Sequence, residues 1–356
     1  MTTLVPAPVP GRLRQDEDLP RFDPITHLPL LILFPHSRCN CRCLMCDIWR
    51  SDAGDQLSPE SIAERLAEWR ALGVERVLLS GGEPLMHARL WELCAHLKAA
   101  GIGITLLSTG LLLKRHATSV IEYCDDLVVS LDGTPATHDA IRRVPRAFER
   151  LALGVRAVAD AARDRSAAIT LSARCTVQQR NYRELRAIVR TAQTLPLDRI
   201  SFLAADVSST AFNRPAGASE EQTAEVALQV EDLPRLALEL ELLERECGES
   251  FRSGFIAESP PRLKQRLYQY YSALLDRAEF PINRCNAPWV STVIEADGTV
   301  RPCFFQPALG RLSSSVSLTS IVNSPSARRW RAGLDVGRDR ICRRCVCTLS
   351  LWPARV

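Results

Sequence analysis

The chain has no long apolar run and no block of like charge, and both absences narrow its class. The longest clean apolar stretch, around Leu28–Phe34, is far too short to span a bilayer. The N-terminus, MTTLVPAPVPGRLRQDEDLPRF, is rich in proline and charge and lacks the apolar centre of a secretory signal. The formal charge is only +4 and no basic stripe is interleaved with aromatics, so nucleic acid is not an expected partner. There is no low-complexity tract. The expectation is a soluble, cytoplasmic protein without a membrane partner. With 356 residues and 46% hydrophobic content, the chain can bury one large core, or one core and a small satellite domain.

Cysteine is what the chain has in excess. Thirteen cysteines fall into a dense group near each end, with a few singles between. In a reducing compartment, clustered cysteines point to metal ligands or catalytic groups rather than disulfides. The singles Cys94, Cys124, Cys175 and Cys247 read as small buried apolar residues.

From Leu28 the text alternates apolar strands with helical segments. Strands are predicted at 28–34, 76–80, 102–108, 126–131, 168–177 and 199–204. Helices are predicted at 58–72, 87–100, 111–123, within 147–163, and at 182–193. This repetition implies right-handed βαβ units and a parallel sheet whose strands are apolar on both faces. Six units over about 175 residues are too few for a closed eight-fold barrel. The predicted fold is therefore α/β, an open partial (β/α)6 barrel with its chemistry at the C-terminal ends of the strands. Residues 1–27 read as an irregular leader, 28–205 as the barrel, 206–284 as a helical connecting region and 285–356 as a small C-terminal domain.

The loop after the first strand reads SRCNCRCLMCDIWR, and Cys39, Cys43 and Cys46 stand at C-x3-C-x2-C. Three thiolates this close suit a compact metal cluster with one position left open. The alternative is a zinc knuckle using Cys41 as fourth ligand, a tight fit to tetrahedral corners. The second strand ends in Ser80-Gly81-Gly82-Glu83-Pro84, where paired glycines permit close backbone approach and Glu83 offers an acceptor for an ammonium. The third ends in Ser108-Thr109-Gly110, and the fourth in Ser130-Leu131-Asp132-Gly133.

Together these motifs resemble the radical S-adenosylmethionine (SAM) superfamily. The resemblance implies a SAM-binding [4Fe–4S] cluster on Cys39, Cys43 and Cys46. It implies SAM contacts from Met45, where the family often has an aromatic, and from Gly81, Gly82, Glu83, Pro84, Ser108, Ser130 and Asp132. Asp132, His138, Asp139 and Arg143 resemble a stretch of the superfamily's auxiliary-cluster branch. Arg174, on the fifth strand, is a candidate for the SAM carboxylate or the substrate. His87 reads as a solvent-facing residue at a helix start.

Near the C-terminus, Cys285, Cys303, Cys342 and Cys345 form a second group, with Cys347 able to replace Cys345. A hairpin is predicted at 291–295 and 299–301, turned at Asp297-Gly298. The group resembles SPASM and twitch domains. Because the later part of the SPASM pattern is absent, the resemblance implies one auxiliary [4Fe–4S] cluster; structural zinc is the alternative.

The expected function is radical oxidation or dehydrogenation of a small molecule, with flavodoxin or ferredoxin as electron donor. That preference rests on the mere 38 residues before Cys39, too few for a peptide-recognition domain. The alternatives are maturation of a ribosomally made peptide and a radical epimerisation with Cys247 or Cys175 as hydrogen donor. A metal-binding protein without catalysis would leave the glycine motif and the strand-tip hydroxyls unexplained.

Overall fold

The computed structural model describes residues 23–351. The expected leader lies outside them as far as position 22, and so does the end of the last segment from 352 onward. Residues 23–27 are irregular, and side-chain bonds from Asn323 to Ile25 and from Arg331 to Asp23 fasten them.

Six parallel strands form the body of the sheet: β1 (Leu30–Leu33), β2 (Arg76–Leu79), β3 (Gly103–Ser108), β4 (Asp126–Ser130), β5 (Thr170–Val177) and β6 (Arg199–Ala204). They lie in sequence order and do not close. Between them run α1 (Pro59–Ala63), α2 (Leu66–Ala71), α3 (Leu90–Ala99), α4 (Leu113–Tyr123), α5 (Pro135–Arg142), α6 (Ala147–Asp164) and α7 (Leu185–Gln193). The predicted first helix starts as read, with Ser58 accepting from the Ser61 amide and Pro59 in the first position, but breaks between Ala63 and Leu66. The helix α5 was not foreseen.

The sheet does not stop at the barrel. β7 (Ser291–Ile294) pairs in parallel with β1, and β8 (Thr299–Arg301) and β9 (Gly310–Arg311) follow antiparallel. The hairpin turns where predicted, with Gly298 at φ 88°, a conformation that glycine adopts without strain. The C-terminal cysteine segment is thus hydrogen-bonded to the strand that carries the first cysteine loop.

The core lies between the convex face of the sheet and the helices. Leu31, Leu79, Leu106, Val129 and Val177 on the strands and Trp69, Leu93 and Leu97 on the helices are fully buried. The other strand face departs from the uniform apolarity predicted. In β5 (TLSARCTV), Leu171, Ala173, Cys175 and Val177 are buried, whereas Thr170, Arg174 and Thr176 are half-exposed. β6 alternates in the same way. A barrel left open keeps its inner face accessible, so that face tolerates polar side chains.

The two motif glycines serve packing of the chain on itself. Gly81 has φ 101°, and a Cβ there would lie 2.7 Å from the Phe34 side chain. A Cβ on Gly82 would lie 2.0 Å from the Arg38 carbonyl oxygen, which accepts from the Glu83 amide at 2.9 Å. Backbone cannot yield as a side chain tip can, so Gly82→Ala displaces the start of the cysteine loop. The expected loss is about 1–3 kcal/mol, the usual cost of overpacking, read as a lower urea midpoint with unchanged slope.

Candidate functional site

The first cysteine loop leaves the C-terminal end of β1 and lies against the end of α5. The Arg42 and Leu44 amides donate to the Arg142 and Ile141 carbonyls at 3.0 and 3.1 Å. These are last-turn carbonyls that have no partner within the helix. Cys41 and Cys43 are buried with Leu111 and Ala147, and Cys39, Met45 and Cys46 pack around them. All thirteen cysteines are unpaired.

One side chain ties this loop to the sheet. Arg142, buried, donates from Nη1 to the Cys43 sulfur at 3.4 Å and forms an ion pair with Asp132. Asp132 is fully buried and accepts from the Thr176 amide at 2.8 Å. The Cys43 thiol is lowered by its hydrogen bond with Cys41 and by the charge of Arg142. Burial pushes Cys39 up to about 12 and raises Cys46. His138 is held neutral, its pKa lowered to about 3 by burial and by Arg142; its Nδ1 accepts from the Asp132 amide at 3.2 Å.

One expectation changes here. Asp132 faces a buried arginine, not a strand-tip opening, so its carboxylate is committed inside the protein. The arginine buried at this helix end is Arg142; its neighbour Arg143 takes φ 52° and pairs with Glu225 at the surface at 3.0 Å. The signal was present: His138, Ile141 and Arg142 recur at helical spacing and share the buried face of α5.

The strand tips form a second network. Glu83 is fully buried, with its pKa raised by burial. Its carboxylate accepts from the Ser108 hydroxyl at 2.9 Å, the Thr109 amide at 2.7 Å and the Leu85 amide at 3.1 Å. Glu83 and Ser108, expected as SAM contacts, here bond each other. Thr109 donates to Asn40 Oδ1 at 2.9 Å, linking β3 to the cysteine loop. Met45 receives the Gln178 amide on its sulfur at 3.5 Å. The buried Asn40 Nδ2 and Gln178 Oε1 have no protein partner, so polar capacity beside this loop is left for a bound group. Ser130 and Arg174 stand in register on the inner face. His87 is buried rather than solvent-facing and bonds the Leu57 carbonyl at 2.8 Å.

The hydrogen-donor candidates fall elsewhere. Cys175 is fully buried on the helix-facing side of β5. Cys247 caps the 233–246 helix beside Arg186, Arg190 and Glu246.

Cys285, Cys303, Cys342, Cys345 and Cys347 are brought together from three places in the chain. The half-buried Cys285, Cys303 and Cys345 thiols are all raised by desolvation, and each is raised further by the neighbouring Cys347. Cys342 sits beside Cys303 and accepts from Gln306 at 3.3 Å. Asn283 donates to the Cys342 and Cys345 carbonyls at 2.7 and 3.2 Å, holding the last turn in place. Between the two groups lie Phe34, Phe212, Phe304 and Phe305. The Phe304 ring, next to Cys303, is 5.4 Å from Phe34 and 4.9 Å from Phe212. Phe212 and Asn213 both take φ 61°, unusual for a phenylalanine, and hold Asp47 through the Phe212 carbonyl and the Asn213 amide. Sequence patterning carries no sign of this clasp.

The donor sets fit iron–sulfur clusters. Each is thiol-rich and set among apolar groups, and the first has an arginine on one sulfur and unmet polar atoms beside it. Among the described residues no three His, Cys, Asp or Glu side chains converge as the ligands of a single ion would.

Residues 33–192 match the model of the Radical SAM superfamily, and residues 285–346 match that of SPASM, an iron–sulfur cluster-binding domain. The chain belongs to the radical SAM superfamily and carries a C-terminal SPASM-type domain. SAM and [4Fe–4S] clusters are the cofactors of these domains.

An AdoMet-dependent heme synthase of Methanosarcina barkeri is 29% identical over 177 residues, 48% of this chain and 49% of that one. The pre-heme d1 synthase of Dinoroseobacter shibae is 28% identical over 51% of this chain and 44% of that one. The chain thus spans about half the length of these relatives. The PqqA peptide cyclase of Rhizobium meliloti is 27% identical over 92% of this chain and 81% of that one. Among solved structures, Streptococcus suis SuiB bound to S-adenosylmethionine has a TM-score of 0.58 at 14% identity, covering 90% of this chain and 72% of that one. The structure of anSMEcpe with bound AdoMet has a TM-score of 0.59 at 16% identity, covering 84% and 82%. These likenesses show a shared fold. No helix among the described residues is long and apolar enough to cross a membrane.

Removing the arginine that joins Cys43 to Asp132 leaves a buried, unpaired carboxylate. Arg142→Met is expected to destabilise the protein by about 3–5 kcal/mol. Adding Asp132→Asn should recover part of that loss. Urea unfolding of the two variants against wild type measures both.

Proposed function

We propose that the protein cleaves SAM reductively and oxidises a small-molecule substrate by two electrons. In this reading the first cluster would supply the electron for SAM cleavage, and the resulting 5′-deoxyadenosyl radical would take a hydrogen from carbon. Cys39, Cys43 and Cys46 hold that cluster. Met45, Gly81, Gly82, Pro84 and Ser130 border SAM, and Asn40 and Gln178 offer it their unpartnered amide atoms. Glu83, Ser108 and Asp132 hold the surrounding loops in place. Cys285, Cys303, Cys342 and either Cys345 or Cys347 would hold one auxiliary cluster, which would supply an acceptor for the electron left on substrate as a proton leaves to solvent. Flavodoxin or ferredoxin supplies the first electron.

The observation that carries this reading is the short aromatic contact between the two cysteine groups. Phe304, beside Cys303, packs on Phe34 at the root of the first loop, 5.4 Å centre to centre. A substrate chamber between the groups would have an apolar wall and a redox centre on either side. The small-molecule preference is supported by relatives named as heme synthases.

A second reading, maturation of a peptide, is favoured by the nearly full-length alignment with PqqA peptide cyclase. SuiB, of similar fold, has also been solved with its precursor peptide.

The test is anaerobic reconstitution with iron and sulfide, followed by dithionite and SAM. Wild type should carry about eight irons and release 5′-deoxyadenosine, and the Cys39/Cys43/Cys46→Ala variant about four irons and none. Four irons in wild type, all lost in the variant, would remove the auxiliary cluster. Zinc instead of iron, without SAM cleavage, would sink the reading.

A further inference from the structure

The inner face of the barrel carries positive charge that neither cysteine group uses. Ser130, Arg174 and Ser201 stand in register across β4, β5 and β6, all half-exposed. Beyond β6, Ile256 bridges Ile200 in parallel, and Glu258 accepts from the Phe202 amide at 3.1 Å. Residues 256–269 therefore flank the open edge of the barrel. They include Arg262 and Arg266, the latter in a π-helical stretch, Lys264–Gln269. Such stretches are uncommon and recur at functional sites.

One half-buried guanidinium pairs with a buried carboxylate, and two more lie near it. Arg266 pairs with Glu258 at 3.0 Å, and Arg174 and Arg262 lie within reach of its charge. Arg174 has only the Ser201 hydroxyl, at 3.5 Å. Arg262 has the Gln265 side-chain oxygen at 2.6 Å and the Thr348 hydroxyl at 3.5 Å. Among the described residues neither is ion-paired. Burial and the charge of Arg266 lower the Arg262 pKa, and Glu258, shared with Arg266, offsets them only in part. A half-exposed guanidinium without an ion-pair partner keeps N–H donors free for a ligand anion. Thr348 follows Cys347, so the cluster lies between the barrel strands and the second cysteine group.

We propose that Arg174, Arg262 and Arg266 form the anion-binding end of the substrate chamber and that the substrate carries a carboxylate. Arginine's planar fork matches a carboxylate in two-point fashion, which orients as well as attracts. Glu258 positions Arg266 and tempers the charge, so that the site binds an anion and still releases it. The inference rests on the reading that the space between the cysteine groups is the substrate chamber.

The test is calorimetric titration of SAM-saturated, cluster-loaded enzyme with benzene-1,3,5-tricarboxylate. One molecule should bind per chain. Arg174→Gln and Arg262→Gln should each weaken binding by about tenfold, and Arg262→Lys by less. Arg338→Gln, an exposed arginine with 90% of its side chain accessible, should behave as wild type. Glu258→Gln should tighten binding, a change that misfolding cannot produce. Equal binding by wild type and both glutamine variants would overturn the proposal. So would binding seen only without SAM, which would assign these arginines to the SAM carboxylate. The titration reads binding alone, so unimpaired probe binding by a chain that cleaves no SAM would refute the proposed function and leave this site standing.

Discussion

The first cysteine loop depends on one buried cation. Arg142 reaches from the last turn of α5 to the Cys43 sulfur and pairs with Asp132 at the tip of β4. A guanidinium buried this deeply needs its anions, and each anion needs it. The same helix end receives the Arg42 and Leu44 amides. Loop, helix and strand are thus held by groups that cannot be separated without leaving a charge or a backbone group unmet. A loop of eight residues carrying four thiols would otherwise have little to define its shape, for it contains no regular element between Cys39 and Cys46.

A second constraint is steric. The Arg38 carbonyl lies where a side chain on Gly82 would stand. The tip of β2 then hands its amide to that carbonyl and its Glu83 carboxylate to β3. The glycine motif can therefore act on a ligand indirectly, by setting the loop that would hold it. At the other edge of β1, β7 adds in parallel and carries the hairpin between Cys285 and Cys303. Both cysteine groups are referred to one strand, so their separation is set by sheet hydrogen bonds rather than by a linker.

The open edge of the barrel gives the molecule two unlike inner walls. Beside the first loop, β1–β3 present apolar side chains such as Ile32, Leu78 and Leu107, all half-exposed. Across β4–β6 and the 256–269 segment the wall is hydroxylic and cationic. A chamber with one apolar and one charged side orients a substrate by its own polarity, without closure of a lid.

Much was legible from local pattern. Strand spacing, glycine stops, the Ser58 cap and the turn at Gly298 are short-range effects, and the cysteine spacing set the class of chemistry. The π-helical stretch, the break between α1 and α2, the Phe212–Asn213 clasp and the choice of Arg142 over Arg143 were not read. Each depends on what packs against the segment. Arg142 and Arg143 are adjacent and chemically identical, and only the left-handed turn at Arg143 sends one inward and the other to Glu225. By itself the sequence determined the succession of strands and helices, and its cysteine and glycine motifs carried the resemblance to the family, because these are patterns along the chain. The tertiary structure alone decided the partners of Glu83 and Asp132 and the attachment of both cysteine-bearing segments to β1. It also decided which arginines lie along the open edge of the barrel. These are contacts between residues tens to hundreds of positions apart, which no local periodicity encodes.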